Sequence, residues 1–138
     1  MLSRDMLTKF ILFGCLGILG EVANTAFKRA ISERNFEFVG EASLLIFPFY
    51  GLIAFIFPAI AHQLGDYTWW QRGGVYMLAF YLAQFFIGLG LSRLNMCPWH
   101  YDRFALNGLV SISSAPIWFT AGLLVEWVYP WVKALSEL

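Results

Sequence analysis

The stretch ASLLIFPFYGLIAFIFPAIA, residues 42–61, runs for 20 residues without one charged side chain. A helix needs about 20 mainly apolar residues to cross the ~30 Å hydrocarbon core of a bilayer, so this run has the length of one crossing. Downstream, residues 74–92 repeat the pattern with Gln84 as their polar member. Residues 6–27 precede it, broken by Lys9 near the start and by Glu21, Asn24 and Thr25. Residues 109–131 come last and contain Ser111, Ser113, Ser114, Thr120 and Glu126. Hydrophilic segments at 28–41, 62–73 and 93–107 separate the four runs.

Composition agrees with the runs. Of 138 residues, 59% are hydrophobic and 13% charged, about half the charge of a soluble domain. A small soluble domain buries only about two-thirds of what its unfolded chain exposes, so it cannot hide this much apolar surface. Disorder is excluded on the same ground. Nine basic and nine acidic side chains cancel, leaving no electrostatic footprint for nucleic acid. Four crossings would use about 80 residues, and six would use about 120 and leave almost nothing for connections. A membrane barrel would show alternating segments of about ten residues, and these runs are continuous. We therefore expect an all-α, multi-pass integral membrane protein. Its single domain, 1–138, is an antiparallel bundle of four transmembrane helices at about 6–28, 42–62, 74–95 and 108–132, with the lipid bilayer as its partner. The first run lacks a small-x-small cleavage signature and is expected to be retained. Charge leaves orientation open: Arg4, Lys9, Arg72 and Lys133 stand against Lys28, Arg29, Arg34, Arg93 and Arg103. Cys15 and Cys97 do not form a disulfide framework.

At 100° per residue, Gly14, Gly17, Glu21, Asn24, Thr25 and Lys28 share one face of the first helix. Tyr81, Gln84, Gly88, Ser92 and Asn95 do so on the third, and Ser111, Ser114, Trp118, Gly122 and Glu126 on the fourth. Hydrocarbon penalises such groups, so these faces turn to protein or water. Two readings follow. Small and hydroxyl residues are the ordinary means of close helix packing, whereas an ionisable residue within a span marks a pathway or ligand site. Glu21, Asn24, Gln84, Ser114 and Glu126 are the candidate pathway residues. Pro48, Tyr50 and Gly51 predict a break in the second helix, since proline removes a backbone bond and clashes with the preceding turn. Such breaks either kink a helix or line a cavity. Counted along the helices, Glu21 lies roughly 10 Å from the Lys28 end and Glu126 about 27 Å from the Gly108 end. Carboxylate pairs that act on one bond sit within about 5–10 Å, so the two acids are not expected to act together.

The loop after the third run, Arg93-Leu94-Asn95-Met96-Cys97-Pro98-Trp99-His100-Tyr101-Asp102-Arg103, is the densest cluster of reactive types. Pro98 should end the helix near Cys97, and Trp99 and Tyr101 suit the headgroup zone. Cys97, His100 and Asp102 are the residue types of a metal site or of a nucleophile with a base. Without a second ligand pair elsewhere, no metal, cofactor or catalytic residue is expected. An interfacial loop held by its own contacts is the leading reading, with a Cys97 thiol that reacts slowly at neutral pH.

The run Leu94-Asn95-Met96-Cys97-Pro98-Trp99-His100-Tyr101, followed by Asn107-Gly108, Trp118-Phe119 and Glu126, resembles the small polytopic membrane family known as ABC-transporter type IV, or CmpB-like, which includes uncharacterised vertebrate transmembrane proteins. Gly20-Glu21-Val22, Thr25-Ala26 and Tyr50-Gly51 fit it as well, so the resemblance touches all four runs. It implies shared roles for Glu21, Tyr50, Gly51, Asn95, Cys97, Pro98, Trp99, Tyr101, Gly108 and Glu126. This chain departs where members carry acids, at His100, at Gln84 and near Ser113. It also lacks a GxxxxGK[ST] phosphate loop, so it is not expected to be itself the ATPase of an ABC system. The leading expectation is a permease-like or channel-like transport subunit, working as a homo-oligomer or with a membrane partner. The alternatives are a membrane-embedded enzyme acting on a lipid or small amphiphile near the Cys97 loop, and a structural or assembly subunit of a membrane complex.

Overall fold

A computed structural model of the chain describes residues 3–34, 36–99, 105–106 and 108–138. The elements are α1 (Arg4–Ser32), α2 (Phe47–Gly51), α3 (Ile53–Gln63), α4 (Trp69–Arg93), a short hairpin of β1 (Ala105–Leu106) and β2 (Val110–Ser111), and α5 (Ala115–Ser136). Contacts gather in two compact units, Met1–Gln63 with Pro130–Leu138, and Leu64–Tyr129. Three stretches are long and apolar enough to cross a membrane: Arg4–Ser32, Leu44–Gln63 and Trp69–Arg93. Many of their apolar side chains face outward, among them Leu19, Ile56, Leu78, Leu82 and Phe86.

In the first unit, the Ser3 hydroxyl caps α1 by accepting from the Met6 N–H at 3.2 Å; such a cap satisfies a backbone donor with no partner inside the helix. The expected second span, 42–62, is built in pieces. A single 3-10 turn, Leu44–Ile46, leads into α2, where Pro48 occupies the first turn. There proline is tolerated, because its missing N–H would be unpaired anyway. Leu52 separates α2 from α3. Pro58 lies inside α3 and cannot donate to the Ala54 carbonyl, which it crowds, so the ladder is weakest just beyond the break. α1 lies alongside α2 with glycine at the contacts. A Cβ on Gly14 would overlap the Phe47 ring, one on Gly17 the Tyr50 ring, and one on Gly51 the Phe10 ring.

The second unit opens on a capping box, in which Thr68 and Gln71 satisfy each other's backbone N–H groups at the start of α4. α4 stops at Arg93, earlier than Pro98 alone predicts. Asn95 adopts φ 57°, its N–H donates to the Ser92 carbonyl at 3.0 Å, and the Met96 N–H donates to the Leu91 carbonyl at 2.8 Å. This is a Schellman cap, which turns the chain out of the helix through a left-handed residue. The expected fourth span, 108–132, also needs correction, because α5 begins only at Ala115. Gly108 (φ 72°) sits in the turn between β1 and β2. The Ser111 hydroxyl then accepts from the Ser113 N–H at 3.3 Å, offering the backbone an alternative to helix. The described residues are thus helical apart from connections and this one hairpin.

Candidate functional site

Glu21 sits half-buried on α1 in the first unit. The Tyr50 hydroxyl donates to its Oε1 at 2.5 Å. Gly17, one turn earlier on α1, lets the Tyr50 ring approach the α1 backbone. The carboxyl is therefore held against the last turn before the Leu52 break, and Asn24 is half-buried three residues further on. Two expectations meet here: the intramembrane acid and the break marked by Pro48, Tyr50 and Gly51. Toward the end of α1, the Thr25 hydroxyl donates to the Glu41 carbonyl at 3.1 Å and Arg29 pairs with the Glu41 carboxylate at 2.9 Å, fastening the returning chain.

Glu126 belongs to the second unit and has a different environment. Arg72 Nε donates to its Oε2 at 2.9 Å and Arg72 Nη2 to its Oε1 at 2.9 Å, a bidentate grip. The Tyr76 hydroxyl adds a bond to Oε2 at 2.6 Å, and Arg72 Nη1 donates to the Tyr67 carbonyl at 2.6 Å. Bidentate, charge-assisted bonds of this kind are the strong ones. The carboxylate is occupied in fastening α5 to α4. Sequence reasoning did not name Arg72 or Tyr76 as its partners. The available signal was that both stand one turn apart at the start of α4 and share a face.

Trp99 and residues 109–112, between α4 and α5, lie against α4. The Trp99 indole N–H donates to the Leu109 carbonyl at 2.8 Å, and its ring lies over Gly88. The Tyr81 hydroxyl donates to the Ser111 carbonyl at 2.8 Å and lies 3.3 Å from that of Ile112. Leu109, Ser111 and Ser114 are all buried, Ser111 being 1% exposed. Phe80 stacks on Trp118 with centroids 4.8 Å apart. The Trp118 indole N–H is buried and has no hydrogen-bond partner among the described residues. Gln84 is half-buried on α4.

In the motif loop, Asn95 is the helix cap and Pro98 follows it. The half-buried Cys97 thiol donates to the Trp99 carbonyl across 3.4 Å. His100, Tyr101 and Asp102 lie outside the described residues. Among the described residues no three His, Cys, Asp or Glu side chains gather as a metal site. The candidate pathway residues fall in two groups: Glu21 and Asn24 in the first unit, Gln84, Ser114 and Glu126 in the second. No family model matches the chain, and no solved structure matches it.

Proposed function

We propose that this chain is a multi-pass membrane protein acting as a permease-like or channel-like transport subunit. It crosses the bilayer four times as an antiparallel bundle, and the fourth crossing is discontinuous. The observation that carries the reading is the bond from Tyr81 to the Ser111 carbonyl. At 1.5 Å per residue the 25 residues of α4 measure about 37 Å, and Tyr81 stands about 18 Å from Trp69. If α4 spans, the non-helical backbone at 109–111 lies within the hydrocarbon depth, and a 3-10 turn at Ile112–Ser114 leads from it into α5. Non-helical backbone at that depth is tolerated only inside protein or along a water-filled cavity. Transporters place half-helices of this kind beside their substrate sites. The Trp118 N–H in the first turn of α5, buried and without a partner among the described residues, and the break at Leu52 beside Glu21 and Tyr50 support the same reading. So does the likeness of Asn95–Trp99 to the CmpB-like family.

Four crossings are few for a whole permease, so the proposal includes a homo-oligomer or a membrane partner. Reconstitution tests it. Purified protein in vesicles loaded with a pH-sensitive or cation-sensitive dye should pass protons or monovalent cations, and Glu21→Gln should abolish the flux. A second reading, a structural or assembly subunit, is favoured by the polar groups of Glu126, Tyr81 and Trp99, each engaged in an internal contact. Absence of flux together with a stoichiometric co-purifying membrane protein would establish it instead.

A further inference from the structure

Four aromatic rings crowd the start of α4. Tyr67, Trp69, Trp70 and Trp127 are each 51–68% exposed, although large aromatic side chains are usually buried where they can be. They are not scattered. Arg72 ties Glu126 to the first turn of α4, which brings Trp127, the next residue on α5, to that level. Trp69 and Trp70 precede Arg72 by about 4.5 and 3 Å of helix rise. Trp69 and Trp70 therefore lie within one turn of Arg72, with Tyr67 just before the helix, and Trp127 adjoins the carboxylate that Arg72 and Tyr76 hold. Trp69 is also steadied, edge-on against Phe119 at 6.2 Å.

We infer that this ring of aromatic residues is an interaction surface for the headgroup boundary of a phospholipid bilayer, and that it sets the depth of α4 in the membrane. An indole or phenol has an apolar body and one polar hydrogen, which suits the boundary between acyl chains and glycerol carbonyls. The outward surface of α4 continues the argument: Val75, Leu78, Leu82 and Phe86 are exposed directly beyond the aromatic residues, so apolar surface begins where they end. Charge narrows the occupant. The Arg72 guanidinium is paired with Glu126 and with the Tyr67 carbonyl, so no free cation on this pair selects anionic lipid. The surface fits zwitterionic phosphatidylcholine. The inference rests on the chain spanning a membrane and not on its transporting anything.

Depth-dependent fluorescence quenching tests it. Two variants of the full chain are reconstituted in phosphatidylcholine vesicles, one retaining Trp69 and Trp70 as its only tryptophans and one retaining Trp127, with phenylalanine at the other tryptophan positions. Lipids with a nitroxide near the glycerol should quench both variants more than lipids with a nitroxide near the terminal methyl, and both should report the same depth. Replacing part of the phosphatidylcholine by phosphatidylserine should leave the pattern unchanged. Stronger quenching by the deep nitroxide, quenching by neither, or dependence on phosphatidylserine would overturn the inference. Quenching by neither would point to a protein partner over these rings. If the multiple variants do not fold, W69F/W70F in the otherwise native chain should reduce the component quenched by the shallow label and leave the component quenched by the deep label unchanged. Failure to resist alkaline extraction from the vesicles would count against the membrane reading itself, whereas a wrong depth would overturn only this inference.

Discussion

Glu21 and Glu126 look alike in the sequence, each an acid in an apolar run, yet their partners give them different work. Glu126 accepts from both Arg72 and Tyr76. Arg72→Met would remove the charge that pairs it and leave a half-buried carboxylate with a tyrosine alone. We expect a loss of stability, read as a lowered thermal midpoint in detergent micelles, since the carboxylate loses its charge-assisted bonds. The double variant R72M/E126L should recover much of that loss, because removing both members of a partly buried pair leaves no charge without its partner, whereas removing one does. Glu21→Gln should behave in the opposite way. Tyr50 can donate to an amide oxygen as it does to Glu21 Oε1, so thermal stability should stay within about 0.5–1.5 kcal/mol of the native chain while dye-reported flux is lost. Equal flux in Glu21→Gln and Glu126→Gln would leave both acids as packing residues. The sequence exposed the acids because an ionisable group in an apolar run stands out locally. It did not expose Arg72, which lies 54 positions from its partner.

At the scale of elements, glycine and asparagine positions separate packing from motif. Gly17 and Gly20 lie on the same helix and both border Glu21. A Cβ on Gly17 would run into the Tyr50 ring, while one on Gly20 would meet nothing within 4 Å. Gly17→Ala should therefore destabilise by about 1–3 kcal/mol through overpacking. Gly20→Ala should raise stability by about 0.5–1 kcal/mol through helix propensity. Thermal melts of the two variants in the same detergent check the sign of each. Asn95 belongs to the same comparison. With φ at 57°, Asn95→Ala should cost up to about 1 kcal/mol, because alanine keeps the Cβ and loses the local side-chain hydrogen bonding that lets asparagine adopt a left-handed conformation, and Asn95→Gly should be tolerated. An Asn95→Gly chain that keeps its melting point but loses flux would assign Asn95 a role beyond the cap. Proline made the α4 stop legible in the sequence but placed it a turn late, because the terminating residue was the asparagine. The strand and 3-10 turn before α5 were not legible at all. Its carbonyls are satisfied by Tyr81 and Trp99 from elsewhere in the unit, and local apolar pattern carries no trace of such partners.

Over the whole molecule, hydropathy alone marks three stretches as able to cross, and α5 is not among them. α5 contains Glu126, Lys133, two prolines and several tryptophans, and its acid is paired with Arg72 by a contact that hydropathy does not register. Three crossings would set the chain ends on opposite faces of the membrane, and four would set them on the same face. In the first unit, Arg4 Nη2 donates to the Leu138 carbonyl at 3.4 Å, so the two ends are neighbours. Residues such as these cannot meet across about 30 Å of hydrocarbon, so the contact agrees with the four crossings proposed above and not with three. On that proposal the stretch 108–136 makes the fourth crossing, through β2, a 3-10 turn at Ile112–Ser114 and then α5. Single cysteines placed in a C15S/C97S background and probed with an impermeant maleimide on sealed vesicles would read the count directly. Ser3→Cys, Asp66→Cys and Glu137→Cys should label from one side, and Phe36→Cys and Leu94→Cys from the other. Labelling of Glu137→Cys together with Phe36→Cys would mean three crossings. It would remove the basis for a buried, discontinuous fourth span, and with it the structural argument for transport.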